Sequence, residues 1–190
     1  MVNRCKWAEY NDLMKEYHDK EWGTPQHDDR LLYELLILEG MQAGLSWNTV
    51  LQKRENFRKA FDNFNYRKIS NYNEKKVEEL LQNEGIIRNR LKIQSVITNA
   101  KSFLKVQEEF GSFNSYIWGF VNNKAVHNSW KKLDELPPNT DLSNKVSKDM
   151  KKRGFKFIGT TIIYAFLQAI GVVNDHTTDC FRYKELINSS

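Results

Sequence analysis

Four side chains of metal-binding type sit at the two ends of the 190-residue chain: Cys5 and His18 near one, His176 and Cys180 near the other. Two thiolates and two imidazoles make a closed tetrahedral set for zinc, with no open position, so its expected role is structural. If residues 174–180 are helical, His176 and Cys180 lie one turn apart and face one direction. The competing reading is two unrelated thiols and two ordinary histidines. A disulfide between Cys5 and Cys180, the two cysteines of the chain, is not expected in a reducing compartment.

A second group is an acid among rings. Glu39 follows the apolar run LLIL, where a charge is disfavoured unless paired. Trp47 comes soon after, beyond Gly40 and Gly44, which permit a bend, and Trp7, Tyr17 and Trp22 supply more large rings upstream. A carboxylate beside rings suits a flat cation: rings attract it through cation–π contacts and the acid accepts hydrogen bonds from its edge. The alternative is an exposed helix-end glutamate and tryptophans that simply fill a core.

A third group is basic. In KDMKKRGFKFIGTTIIYAFLQAIG, two helical patterns flank a short connection holding Gly154 and Gly159, crowded by Lys148, Lys151, Lys152, Arg153 and Lys156. A helix starting at Thr160 presents free N–H groups and the positive end of its dipole, a backbone phosphate site that glycine leaves open. The flanking cations add sequence-independent attraction to a nucleic acid. The plain alternative is a helical corner with solvated lysines.

The elements that must hold these groups are helical. Asp28 or Asp29 caps a helix with Leu31, Leu32, Leu35 and Leu36 inward, and Ser46 caps another carrying Val50, Leu51, Phe57 and Phe61. Residues 74–84 read as a charged helix with Val77, Leu80 and Leu81 inward, ended by Gly85. A longer helix follows, with Leu91, Val96, Ile97, Ala100 and Leu104. An aromatic segment spans Phe113 to Val121, and a helix with Leu142, Val146 and Met150 precedes Gly154. A last apolar helix runs from Thr160 to Ile170 and stops at Gly171. No segment alternates as a strand, so the expected fold is an all-α bundle of short helices.

The net charge of +5 favours an acidic partner, and no stretch approaches a membrane span. The polar start MVNRCKWAEYND carries no apolar signal core, so no membrane association and a cytoplasmic location are expected.

The chain resembles the bacterial DNA-3-methyladenine glycosylase I family over nearly its whole length. The resemblance rests on RCKWA at 4–8, EYHDKEWGTP at 16–25, LEGMQAGLSWNTVLQKRENFRKAF at 38–61, NEGIIRNRLKIQSVITNAK at 83–101, KKRGFKFIGTTIIYAFLQAIGVVNDH at 151–176, and Cys180. It implies a divergent helix-hairpin-helix glycosylase, one catalytic unit over 1–190. Its helix-hairpin-helix lobe would span about 46–170, and a zinc-tied lobe about 1–45 and 171–190. It implies zinc on Cys5, His18, His176 and Cys180. Glu39 and Tyr17 would hydrogen-bond an alkylated base, with Trp47 stacked on it and Trp7 and Trp22 about it. Lys152, Gly154, Lys156, Gly159 and Thr160 would meet DNA phosphates. The implied reaction hydrolyses the N-glycosidic bond of 3-methyladenine in alkylated double-stranded DNA. A monomer would release free 3-methyladenine and leave an abasic site without strand cleavage. Glu39 is the one candidate for activating water. A non-catalytic damaged-DNA binding module is the rival reading. The hairpin reads RGFKFIGT rather than the LPGVG-like form of the wider superfamily. That superfamily's catalytic Asp has no evident counterpart, Asp175 being adjacent to a proposed metal ligand. Met14 stands where some relatives carry an aromatic.

Overall fold

The computed structural model describes residues 2–190. Among them, eleven α-helices account for most of the chain. The first seven are α1 (Asp12–Lys20), α2 (Asp29–Met41), α3 (Trp47–Gln52), α4 (Arg54–Ala60), α5 (Tyr66–Ile69), α6 (Glu74–Leu81) and α7 (Arg90–Phe110). They are followed by α8 (Phe113–Gly119), α9 (Asp141–Lys152), α10 (Thr160–Ala169) and α11 (Phe181–Asn188). The expected helical fold is the observed one, with one addition. Val126–His127 (β1) and Val173–Asn174 (β2) pair in parallel as a two-residue ladder. Two residues are too few for alternation to show in sequence.

Local chemistry sets most helix starts. Asp28 accepts from the Leu31 N–H at 2.9 Å, and Ser46 from the Thr49 N–H at 3.1 Å, as N-caps do. Beyond Ser46 the expected single helix is two, broken at Lys53, and Phe61 lies just past the second. The charged helix ends at Leu81, short of residue 84. In α7 the phase differs from the sequence reading. Ile93, Val96, Ala100 and Phe103 face inward, while Leu91 is 69% exposed. Lys92 turns inward instead, because its ammonium donates to the carbonyls of Met41 (2.9 Å) and Ala43 (2.6 Å) at the end of α2. A lysine that satisfies two terminal carbonyls outweighs the exposure of one leucine.

The larger apolar core gathers α2, α7, α8 and α10, with Leu32, Leu36, Val96, Phe103, Phe113 and Phe166 at its centre. A smaller cluster holds Cys5, Met14, Tyr17, Trp22, Leu51, Ala169 and Cys180. α2 packs in the larger core although it precedes residue 46. The two clusters are tied by charge. Buried Glu34 of α2 accepts from Arg54 (2.7 Å), Arg58 (2.9 Å) and Arg30 (2.8 Å), and Arg54 also donates to Glu21 (2.7 Å) at the end of α1. Burial pushes the Glu34 carboxyl up, but Arg54 and Arg58 outweigh it and hold it ionised below its usual range.

The chain also passes itself closely. Gly171 has φ +77°, and a Cβ there would lie 2.5 Å from the backbone at Thr24 and Pro25. Gly171→Ala should therefore destabilise the fold by about 3 kcal/mol, from backbone strain and overlap together, as read by denaturant unfolding. A loss under about 0.5 kcal/mol would show that the crossing relaxes freely.

Candidate functional site

α1 and α2 bring the acid and the rings together. Glu39 sits on the last turn of α2, and Tyr17 on the inner face of α1. Trp47 begins α3 beyond a turn through Gly44, whose φ of +78° suits glycine. The three face a cavity of about 290 Å³, with Trp7 and Trp22 completing an aromatic wall. Trp7 and Trp22 meet edge to face with centroids 5.0 Å apart, and Tyr17 and Trp47 are 5.3 Å apart. Met14, Leu133, Leu136 and Ala165 make the apolar remainder, and the amides of Gln42 and Gln168 reach the lining. Met14 thus occupies part of one wall.

Three polar side chains of this cavity are left open. Glu39 is only 4% exposed, and burial alone pushes its carboxyl up to about 8. Tyr17 Oη and Trp47 Nε1 are buried without a hydrogen-bond partner. Burial, then the nearby Glu39, pushes the Tyr17 phenol well up, so it stays a neutral donor. Buried polar groups are normally paired, so an acid and two donors left open in one apolar cavity are arranged for a ligand. That ligand must be flat, to fit between rings, and carry both donors and an acceptor.

The hairpin between α9 and α10 docks on α2 beside this acid. Phe157 approaches Gly40 closely enough that a Cβ there would just reach van der Waals contact, 3.4 Å from Phe157 Cβ. Asn99, which the sequence reading passes over, clamps the turn: its amide donates to the Lys156 carbonyl (3.0 Å) and its oxygen accepts from the Lys156 N–H (2.8 Å). Gly154 has φ +91°, and Gly159 caps α10 with no side chain across its N–H groups. Lys152 and Lys156 are exposed. Arg153 is not free, since it pairs with Asp149 (2.7 Å) and Glu109 (2.6 Å). The Thr160 hydroxyl is used within the protein, against Ser143 (3.0 Å) and Asn144.

Cys5, His18, His176 and Cys180 come together, all buried, with ligand atoms within 4.8 Å of one another. Residues 174–180 do not meet the condition of being helical. β2 ends at Asn174, a turn follows in which the Cys180 N–H reaches the Thr177 carbonyl (2.8 Å), and Cys180 is the N-cap of α11. The pair converges through this turn rather than along a helix face. Sheet pairing holds residue 174 extended, and Asp175 is fixed by side chains from elsewhere. The donor set fits a soft divalent ion. His18 Nδ1 donates to Asp19 (2.7 Å) and His176 Nε2 to the Trp22 carbonyl (2.9 Å). Their other nitrogens then face each other as lone pairs at 3.2 Å, beside both sulfurs. Opposed lone pairs repel unless a cation lies among them, and carboxylate or carbonyl contacts behind ligand histidines are the usual support.

Fold and cavity together define a helical protein with an acid-and-aromatic pocket for a flat heterocycle, set between a basic hairpin and a Cys2His2 cluster. The chain belongs to the methyladenine glycosylase family, whose sequence pattern matches residues 7–183. DNA-3-methyladenine glycosylase 1 of Escherichia coli (strain K12) is 47% identical over 96% of this chain and 97% of its own. A Haemophilus influenzae DNA-3-methyladenine glycosylase is 44% identical over 95% of this chain and 97% of its own. A solved 3-methyladenine DNA glycosylase I, a Tyr-to-Phe variant in complex with 3-methyladenine, superposes with a TM-score of 0.92 at 32% identity. The match covers 95% of this chain and 97% of that one.

The raised Glu39 carboxyl predicts a pH signature. The folded protein keeps a proton that the unfolded chain releases in the ordinary glutamate range. That contribution to stability is present at low pH and lost as pH rises through about 8. The stability difference between wild type and Glu39→Gln, followed by denaturant unfolding from pH 5 to 9, should shift against wild type as pH rises. A flat difference would contradict it.

Proposed function

We propose that this protein is a monofunctional DNA glycosylase that hydrolyses the N-glycosidic bond of 3-methyladenine in alkylated DNA. The observation that carries this reading is the buried acid of Glu39, unpaired, facing the unpaired donors of Tyr17 and Trp47 in an aromatic cavity. The cavity takes one base, not a duplex, so the nucleotide must be flipped out, at a cost of a few kcal/mol. In the reading, Trp47 stacks on the base, Trp7 and Trp22 enclose it, and Tyr17 and Glu39 hydrogen-bond its edge.

N3-methylation gives the base a positive charge, which weakens the bond from N9 to the sugar C1′. As that bond breaks, its electron pair passes to N9 and the base leaves neutral. Water adds to C1′ and gives up a proton, leaving an abasic site. Glu39 is the acid positioned to act: a bound cation favours its ionised form, which then balances the charge developing at the sugar and can accept the water's proton. Lys92, the buried lysine among the described residues, is held by the carbonyls of Met41 and Ala43. It is therefore not disposed as a lyase nucleophile, which supports a product without strand cleavage. The hairpin supplies the helix-hairpin-helix role, with Lys152, Gly154, Lys156, Gly159 and Thr160 at the phosphates. Thr160 contributes through its backbone, at the open end of α10.

Cys5, His18, His176 and Cys180 would hold one zinc ion. Bound there it supplies a cross-link and no chemistry, because four protein donors close its coordination. The cross-link holds the segment of Trp7 and Tyr17 against the chain's other end, beside the hairpin.

Two measurements test this. Purified protein should release free 3-methyladenine from methylated DNA, resolved by chromatography, and Glu39→Gln should lower the rate at least about tenfold. Absence of release by wild type refutes the reading. Elemental analysis should find about one zinc per chain, and Cys180→Ser should lose it and lower Tm by roughly 5–10 °C. Metal-free protein with an unchanged Tm in Cys180→Ser removes the zinc.

A further inference from the structure

Asp175 is fully buried and has no place in the proposed chemistry, yet four donors converge on it, two from the loop after β1 and two from α10. Its Oδ1 accepts from the Asn128 amide (2.7 Å) and the Trp130 indole (2.8 Å). Its Oδ2 accepts from the Tyr164 hydroxyl and from Gln168 Nε2 (2.8 Å). A carboxylate that receives two donors on each oxygen acts only as an acceptor. Gln168 lies on α10 one turn beyond Ala165, and both line the cavity that holds Glu39.

The two ends of a glutamine amide differ: NH2 donates and the carbonyl oxygen accepts. With its NH2 turned to Asp175, the amide has one orientation, and no hydrogen bond within the protein engages Oε1. The geometry points to Asp175 as a positioning residue that locks the Gln168 amide, so that its carbonyl reads the exocyclic amine of adenine and refuses the carbonyl of guanine. This rests on the function proposed above and names which of two methylated purines that site selects.

The chemistry follows from the base edges. At C6 adenine presents an NH2 donor and guanine an oxygen acceptor. Gln168 Oε1 against guanine places two acceptors together with water excluded, the arrangement that gives strong discrimination. Glu39 alone discriminates less well. A carboxyl can switch from acceptor to donor by taking up a proton. A primary amide cannot change its pattern by taking or losing a proton. It can only rotate, and Asp175 prevents that.

The test is the ratio of 3-methyladenine to 3-methylguanine released from one preparation of methylated DNA. Asp175→Asn gives Gln168 a partner that can donate as well as accept, so its amide can turn. The ratio should fall roughly tenfold, with the guanine product rising relative to the adenine product. Gln168→Met removes Oε1 in a side chain of similar shape and should lower the ratio likewise, even if Asp175→Asn does not fold. A purely structural role predicts that both releases fall in parallel at constant ratio, and that result in Gln168→Met overturns the inference. Wild-type protein that releases neither base overturns the glycosylase reading itself, and this inference with it.

Discussion

A carboxyl group almost out of water, with no donor of the protein's own to meet it, is unfavourable to bury by about 1–3 kcal/mol even in its neutral form. The arrangement around Glu39 depends on holding that group in place. α2 can carry it because the rest of the helix is secured elsewhere: Leu32 and Leu36 in the larger core, Glu34 in a cage of arginines, and Lys92 across its last carbonyls. The acid is left to a ligand rather than to the fold. Two carboxyls of one helix, five residues apart, thus do opposite things. Glu34 is surrounded by Arg30, Arg54 and Arg58 and stays charged, while Glu39 faces rings and takes up a proton.

The surrounding pieces follow from that acid. The aromatic side chains come from the N-terminal segment, α1 and the start of α3, which have little large core of their own. They are held against α2 by the Arg54 to Glu21 pair and by the convergence of the chain's two ends at the Cys2His2 cluster. The hairpin before α10 meets α2 at Gly40, the residue next to the acid. The basic hairpin, the acid-and-aromatic cavity and the Cys2His2 cluster are therefore neighbours in space, though more than a hundred residues separate their parts in sequence.

Much of this was legible in the sequence where the signal was local. The caps at Asp28 and Ser46, the helical character of the chain and the oddness of Glu39 in an apolar run come from short-range chemistry. What was not legible is long-range. The inward turn of Lys92 depends on two carbonyls some fifty positions away, so apolar spacing alone put Leu91 on the wrong face. The segment 174–180 has two metal-type residues at helical spacing, but the pairing of β2 with β1 and the four donors on Asp175 hold it out of a helix. Gln168 stood in view as a polar residue in the apolar run FLQAI, but only the fold shows that it reaches the cavity and is tied to Asp175.

Burial keeps Glu39 protonated, and a cationic base beside it would ionise it. Calorimetric titration with the permanently cationic 3,9-dimethyladeninium at pH 7, repeated in buffers of different ionisation enthalpy, counts the protons exchanged on binding. Release of close to one proton per ligand is expected in wild type and none in Glu39→Gln. Binding of the cation with no proton release by wild type would contradict it.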